Sequence, residues 1–145
     1  MFKHILLPTD GSPLSEAAIQ KGMQFAKFIN ARVTGLYVIP PYRLFAAGGD
    51  SIADSKAQYE KDSTARAEGF LRAISNLGKE VGVTCDCVSE TGTHPYEAII
   101  EAAEKRGCDL IVMASHGRHG VQALIIGSET NKVLTHTKIP VLVFR

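Results

Sequence analysis

Asp109-Leu110-Ile111-Val112-Met113-Ala114 leads straight into Ser115-His116-Gly117-Arg118-His119-Gly120, and after Val121–Ile126 the chain continues as Gly127-Ser128-Glu129-Thr130. A short apolar run closed by small and polar residues reads as a strand buried on both faces. The glycines then mark a turn, and the polar run from Ser128 to about His136 reads as a short helix ending before Pro140. A strand, a glycine-bearing loop and a helix in succession are the repeating passage of an α/β sheet, so the rest of the chain is read for more of them.

Four further apolar, β-branched runs occur: Lys3–Pro8, Arg32–Ile39, Val83–Ser89 and Ile139–Phe144. Helical periodicity fills the spaces between them. Leu14, Ala18, Gly22, Phe25 and Ile29 make one stripe, and Ala67, Phe70, Ile74, Leu77 and Val81 make a second at the end of a longer polar stretch beginning near Ala53. Tyr96, Ile99, Ile100 and Ala103 make a third. Ser12-Pro13 is an N-cap followed by proline at N1. His94-Pro95 starts the third helix, with Glu97 in its first turn and Gly107 at its end. Strands alternating with helices predict a mostly parallel sheet covered on both faces, and right-handed crossovers narrow this to a doubly wound sheet. Pro40 to Ile52 is longer than the usual connection in such a sheet and reads as a surface loop, with a lid over the strand ends as the alternative.

Composition bounds the function. The 145 residues suit one domain, 1–145, with a core that needs no covalent staples. Sixteen Lys/Arg stand against fifteen Asp/Glu, a formal charge of +1, and no basic run is interleaved with aromatics, so no nucleic-acid partner is expected. No signal-peptide pattern opens the sequence and no apolar stretch suits a membrane span, so a cytoplasmic location is expected and no membrane partner. The cysteines number three, which makes no disulfide framework. Cys85 and Cys87 alternate on one face of a strand, and with Cys108 they read as small buried hydrophobes.

In an open α/β sheet, ligands bind beyond the carboxyl ends of the strands, where the strand order reverses. Two loops leave such ends with polar character: Pro8-Thr9-Asp10-Gly11-Ser12, and the stretch from Ala114 to Thr130. Gly117 and Gly120 would let backbone N–H groups turn towards an anion, and Gly127-Ser128 opens a helix whose positive end favours phosphate. Ser128 and Thr130 add hydroxyl donors and Arg118 adds charge. Neither a GxxxxGK[ST] loop nor a GxGxxG fingerprint is present. His116 and His119, three apart, have no accompanying metal-ligand cluster and read as exposed loop residues near the phosphates.

Taken together, the sequence resembles the universal stress protein family along its whole length. Its ATP-binding members carry G-x2-G-x9-G-[ST] after the fourth strand, and here Ala114-x2-Gly117-x9-Gly127-Ser128 stands in that place. Asp10 after the first strand matches too, as do DLIVMASHGRHG and the terminal IPVLVF. The resemblance implies a five-stranded sheet of order 3-2-1-4-5, a three-layer Rossmann-like fold, with Asp10 and Gly117 on either side of one crevice. It implies an ATP site (AMP or ADP being alternatives) formed by Pro8, Thr9, Asp10, Val38, Met113, Ala114, His116, Gly117, Arg118, Gly127, Ser128, Glu129 and Thr130. In that site Asp10 would contact ribose or, through Mg²⁺, the phosphates. Val38 would pair with adenine through its backbone. Gly117, Arg118 and Gly127–Thr130 would cradle the phosphates through backbone and hydroxyl groups. A homodimer through the edge strand Ile139–Phe144 is also implied.

One departure bears on occupancy. If the first motif position needs positive φ, Ala114 costs roughly 1–2 kcal/mol; if it needs only close approach, the methyl is a smaller obstacle. The expected function is a nucleotide-dependent switch in the stress response. The alternatives are a slow hydrolase using Asp10-held Mg²⁺ with His116 or His119 in proton transfer, and a nucleotide-free dimeric scaffold if Ala114 closes the pocket. No Walker B partner, base or paired carboxylate argues for fast hydrolysis, so at most slow turnover is expected.

Overall fold

A computed structural model describes residues 1–42, 52–117 and 126–145. In chain order the elements are β1 (His4–Thr9), α1 (Pro13–Ile29), β2 (Arg32–Ile39), α2 (Ile52–Val81), β3 (Cys85–Thr91), α3 (Pro95–Lys105), β4 (Leu110–Ala114), α4 (Ser128–His136) and β5 (Val141–Phe144). The strands form one sheet of order β3-β2-β1-β4-β5, every neighbouring pair parallel. The order reverses between β1 and β4, so their carboxyl ends diverge into loops on opposite sides and leave a crevice there.

Alternation along the strands divides the core. Ile5, Leu7, Val33, Tyr37, Leu110 and Val112 face α1 and α2, while Leu6, Leu36, Ile111 and Met113 face α3 and α4. Side chains such as Ile5, Leu6, Leu7 and Ile111 are fully buried, each contributing about 1.5–3 kcal/mol of transfer free energy. At the amino ends of the strands, Asp109 accepts the amide of His4 and both of its oxygens face the amide of Lys3. Burial alone would raise the Asp109 pKa, but these amides together outweigh it and hold the carboxyl below its usual value. His4 is buried with Nε2 on the Thr34 hydroxyl at 2.8 Å, and burial, seconded by Arg32, lowers its pKa.

Three local readings shift. The third strand runs over Cys85–Thr91, two residues later than Val83–Ser89, because Gly82 at φ +77 turns the chain and the Val83 amide still bonds the Gly78 carbonyl of α2. The buried face of α1 is Ser15, Ala18, Ile19, Gly22, Met23 and Ala26, rotated from the stripe of Leu14, Phe25 and Ile29, which are only partly buried. The last strand starts at Val141, with the Pro140 carbonyl accepting the Ile111 amide just before it. Cys85 and Cys87 lie half-buried against the α2-side core, and Cys108 is buried. The Pro40–Ile52 connection falls almost entirely outside the described residues, as do Arg118, His119 and Gly120. No helix among the described residues is long and apolar enough to cross a membrane.

Candidate nucleotide site

Three helix N-termini meet at the carboxyl edge of the sheet, and each is finished differently. The first is closed by its own side chains. Ser12 caps α1, its hydroxyl oxygen accepting the Ser15 amide at 3.2 Å, and Asp10 Oδ1 accepts the Ser12 amide at 2.9 Å. Thr9 Oγ1 accepts the Gly11 amide and shares a hydrogen bond with the Ser15 hydroxyl. The loop needs glycine at position 11: its φ is +76, and a Cβ there would run into the ring of Phe70 from α2.

The N-terminus of α3 is closed from outside. Its cap residue, His94, makes no side-chain capping bond. Glu129 of α4 supplies the acceptor, taking the Tyr96 amide on Oε2 at 3.0 Å while Oε1 pairs with Lys132 at 3.0 Å. The side chain of Glu129 is therefore committed away from the crevice, and only its backbone N–H remains for a ligand.

The N-terminus of α4 is left open. Its cap is Gly127, which has no side chain to close the first turn, and the first helical bond runs from the Asn131 amide to the Gly127 carbonyl. Thr130 does not add a hydroxyl donor as the sequence suggested: it is buried, and Oγ1 donates to the Ala114 carbonyl at 3.0 Å. That bond ties the helix start to the end of β4. Gly127 also bonds backbone to backbone with Ser115 at 2.7 Å, so close that a Cβ would stand 3.1 Å from the Ser115 carbonyl oxygen and 3.3 Å from His116 Cα. The result is a set of first-turn amides and a positive helix end aimed out of the sheet with no side-chain cap.

These termini wall a cavity of about 620 Å³. Of the residues the sequence singled out, Pro8, Thr9, Asp10, Val38, Met113, Ala114, His116, Gly117, Gly127, Ser128, Glu129 and Thr130 all line it; Arg118 lies outside the described residues. A Cβ on Gly117 would collide with the second carboxylate oxygen of Asp10, so the two loops touch across the crevice at that point. Ala114 does not close it. The residue ends β4 in register with Phe144, and Asn30 is the sole non-glycine residue at positive φ among those described, so the alanine carries no backbone strain. His116 is half-buried, not exposed; its Nδ1 bonds the buried Ser115 hydroxyl at 2.8 Å. No cluster of three or more metal-ligating side chains occurs among the described residues.

Sequence reading missed the α2 wall. Tyr59, Ser63 and Arg66 line the cavity beside Tyr37, Ile39 and Pro40. Their signal was present as a polar stripe at helical spacing, offset from the apolar one, and looked like a solvent face.

A five-stranded, doubly wound sheet with a glycine-capped helix opposite an aspartate at its switch point defines a class of small α/β proteins with an open crevice at that point. The chain belongs to the universal stress protein family, whose model matches residues 1–145. It is 31% identical over 147 residues to Universal stress protein MJ0531 of Methanocaldococcus jannaschii, covering 100% of this chain and 83% of that one. The solved structure of MJ0577 from the same organism, 29% identical, superposes with a TM-score of 0.86 over 99% of this chain and 95% of its own. A universal stress protein in complex with cAMP (TM-score 0.73, 21% identity, 99% and 97% covered) and an Arabidopsis thaliana family member with AMP bound (0.70, 14%, 98% and 90%) share the fold.

Proposed function

We propose that this chain binds ATP in the cavity between β1 and β4 and acts as a nucleotide-dependent switch in the stress response. The observation that carries the reading is the uncapped first turn of α4, held opposite Asp10 and Gly117 at the edge of a cavity of about 620 Å³. First-turn amides and a positive dipole end are a ready phosphate site. Glycine at 117 and 127, where a Cβ would meet Asp10 or the Ser115 carbonyl, gives phosphate oxygens access to the backbone. Val38, Ile39, Pro40 and Ile99 give the same cavity an apolar side suited to a base. The binding of AMP and cAMP by proteins of this fold agrees with an adenine nucleotide as the ligand class.

Asp10 fits a Mg²⁺ ion that arrives with the phosphates. One carboxylate plus phosphate oxygens and water is an ordinary environment for Mg²⁺, and the second oxygen of Asp10 faces the crevice at Gly117. The ion would neutralise phosphate charge; Asp10 itself, held by the Ser12 amide, would orient it.

The whole of 1–145 acts on this reading as one cytoplasmic domain and as a homodimer. Strand β5 sits at the sheet edge with all four of its residues only partly buried, an apolar edge that a second copy could cover by an isologous contact.

Denaturing the purified protein and analysing the released small molecules tests the reading, together with ATP turnover and the variant Gly117→Val. Co-purified ATP, or micromolar ATP affinity, with negligible turnover and loss of both in Gly117→Val is the expected result. Absence of nucleotide and of measurable affinity would overturn it, and fast turnover abolished by Asp10→Ala would replace it with an enzyme. A mass of one chain at micromolar concentration would remove the dimer.

A further inference from the structure

The α2 wall of the cavity carries a cation that no part of the glycine loop accounts for. Tyr59, Ser63, Arg66 and Phe70 are spaced i, i+4, i+7 and i+11, one stripe of α2 turned towards the strand tips. The stripe is fixed at both ends. Tyr59 donates its hydroxyl to the Pro40 carbonyl at 2.6 Å, and Phe70 stacks on Tyr37 with ring centroids 5.5 Å apart and planes at 15°, covering Gly11 beside Asp10. Ser63 is buried between them. Arg66 stands one turn before Phe70 at the solvent-facing rim of the cavity wall, exposed and with no hydrogen-bond or ion-pair partner among the described residues.

Charge in the cavity makes that placement consequential. The carboxylates among its described lining residues are Asp10 and Glu129. Lys132 pairs with Glu129, and Asp10 lies at the crevice beside Gly117, so neither side chain supplies positive charge to a phosphate chain. The α4 terminus offers only partial charges. A guanidinium is cationic at every relevant pH and presents a planar fork of donors matched to phosphate oxygens.

We propose that Arg66 is a specificity-determining residue, which contacts the ligand's phosphates and makes the cavity select phosphorylated adenine nucleotides over the uncharged nucleoside. The inference rests on the nucleotide reading of the same cavity. It is tested by calorimetric titration of adenosine, AMP and ATP into the wild type, Arg66→Gln and Arg66→Lys. Loss of one charge-assisted contact should weaken AMP and ATP about tenfold in Arg66→Gln. Adenosine affinity should stay unchanged, and Arg66→Lys should fall between. The salt dependence of ATP binding should also become shallower in Arg66→Gln. Equal weakening of adenosine and ATP would mean that Arg66 only shapes the wall, and would overturn the proposal. ATP affinity within twofold of the wild type would overturn it as well. Either result, with a wild type that binds ATP, leaves the nucleotide reading standing; a wild type that binds neither AMP nor ATP removes both.

Discussion

The starts of α1 and α4 face each other across one crevice and are built on opposite principles. At α1 the helix start is closed by its own side chains: Ser12 caps the helix, Oδ1 of Asp10 holds Ser12, and Thr9 holds Gly11 and Ser15. At α4 the cap is a glycine, and the hydroxyl best placed to help, that of Thr130, is spent on the Ala114 carbonyl. The first terminus is complete without a ligand. The second is anchored to the sheet but keeps its donors for something outside the chain. A substitution near α1 should therefore be read mainly as lost stability, and one near α4 as lost affinity.

The largest effect is expected at Gly11. Any side chain there meets both a positive φ and the Phe70 ring. Backbone strain and overpacking together predict that Gly11→Ala lowers unfolding free energy by about 2–4 kcal/mol in urea titration. A loss under about 1 kcal/mol would show that the α1 loop is not the rigid half. Gly117→Ala should do the reverse. Its new methyl points at the second carboxylate oxygen of Asp10, which must give way while Oδ1 keeps the Ser12 amide. Asp10 would then be displaced from the crevice, so ATP affinity should fall about tenfold or more while stability changes by less than about 1 kcal/mol. Equal stability losses at positions 11 and 117 would erase the distinction between the two halves.

Ser12→Ala comes next. Removing the cap oxygen from the Ser15 amide should cost about 1 kcal/mol of stability and leave ATP affinity within about twofold. A tenfold affinity loss with intact stability would make Ser12 part of the ligand contact, and α1 would no longer be the self-sufficient end.

How far this contrast was legible in the sequence differs between its halves. Ser12-Pro13 announced a capped helix, since a hydroxyl before a proline has few other uses, and the structure has that cap. Gly127-Ser128 announced a helix start, but not which of the two residues caps it; the glycine does. The diversion of Thr130 depends on α4 returning to the end of β4, a tertiary contact that local pattern does not encode. The strands and their alternation were readable because burial on both faces leaves near-continuous apolar runs. The α1 face was misplaced by about one residue because Leu14, Phe25 and Ile29 sit at its margin, while Ile19 and Met23 face the sheet among small residues. The Tyr59–Ser63–Arg66 stripe was overlooked because polar residues on a long helix look alike whether they face water or a cavity.

The smallest expected effect is the most discriminating, because it separates two roles within one turn of α4. Glu129 contributes a backbone amide to the open terminus, yet its carboxylate closes α3 by accepting the Tyr96 amide. Glu129→Ala should therefore behave like the loss of a cap, lowering stability by about 1 kcal/mol through α3. Nucleotide affinity should not fall, since the amide of residue 129 remains at the open terminus. Amide exchange localises the effect: protection should drop in the first turn of α3 and hold in α4. A fall in ATP affinity without any loss of α3 protection would place the carboxylate among the ligand contacts, and the open end of α4 would then depend on side chains much as α1 does.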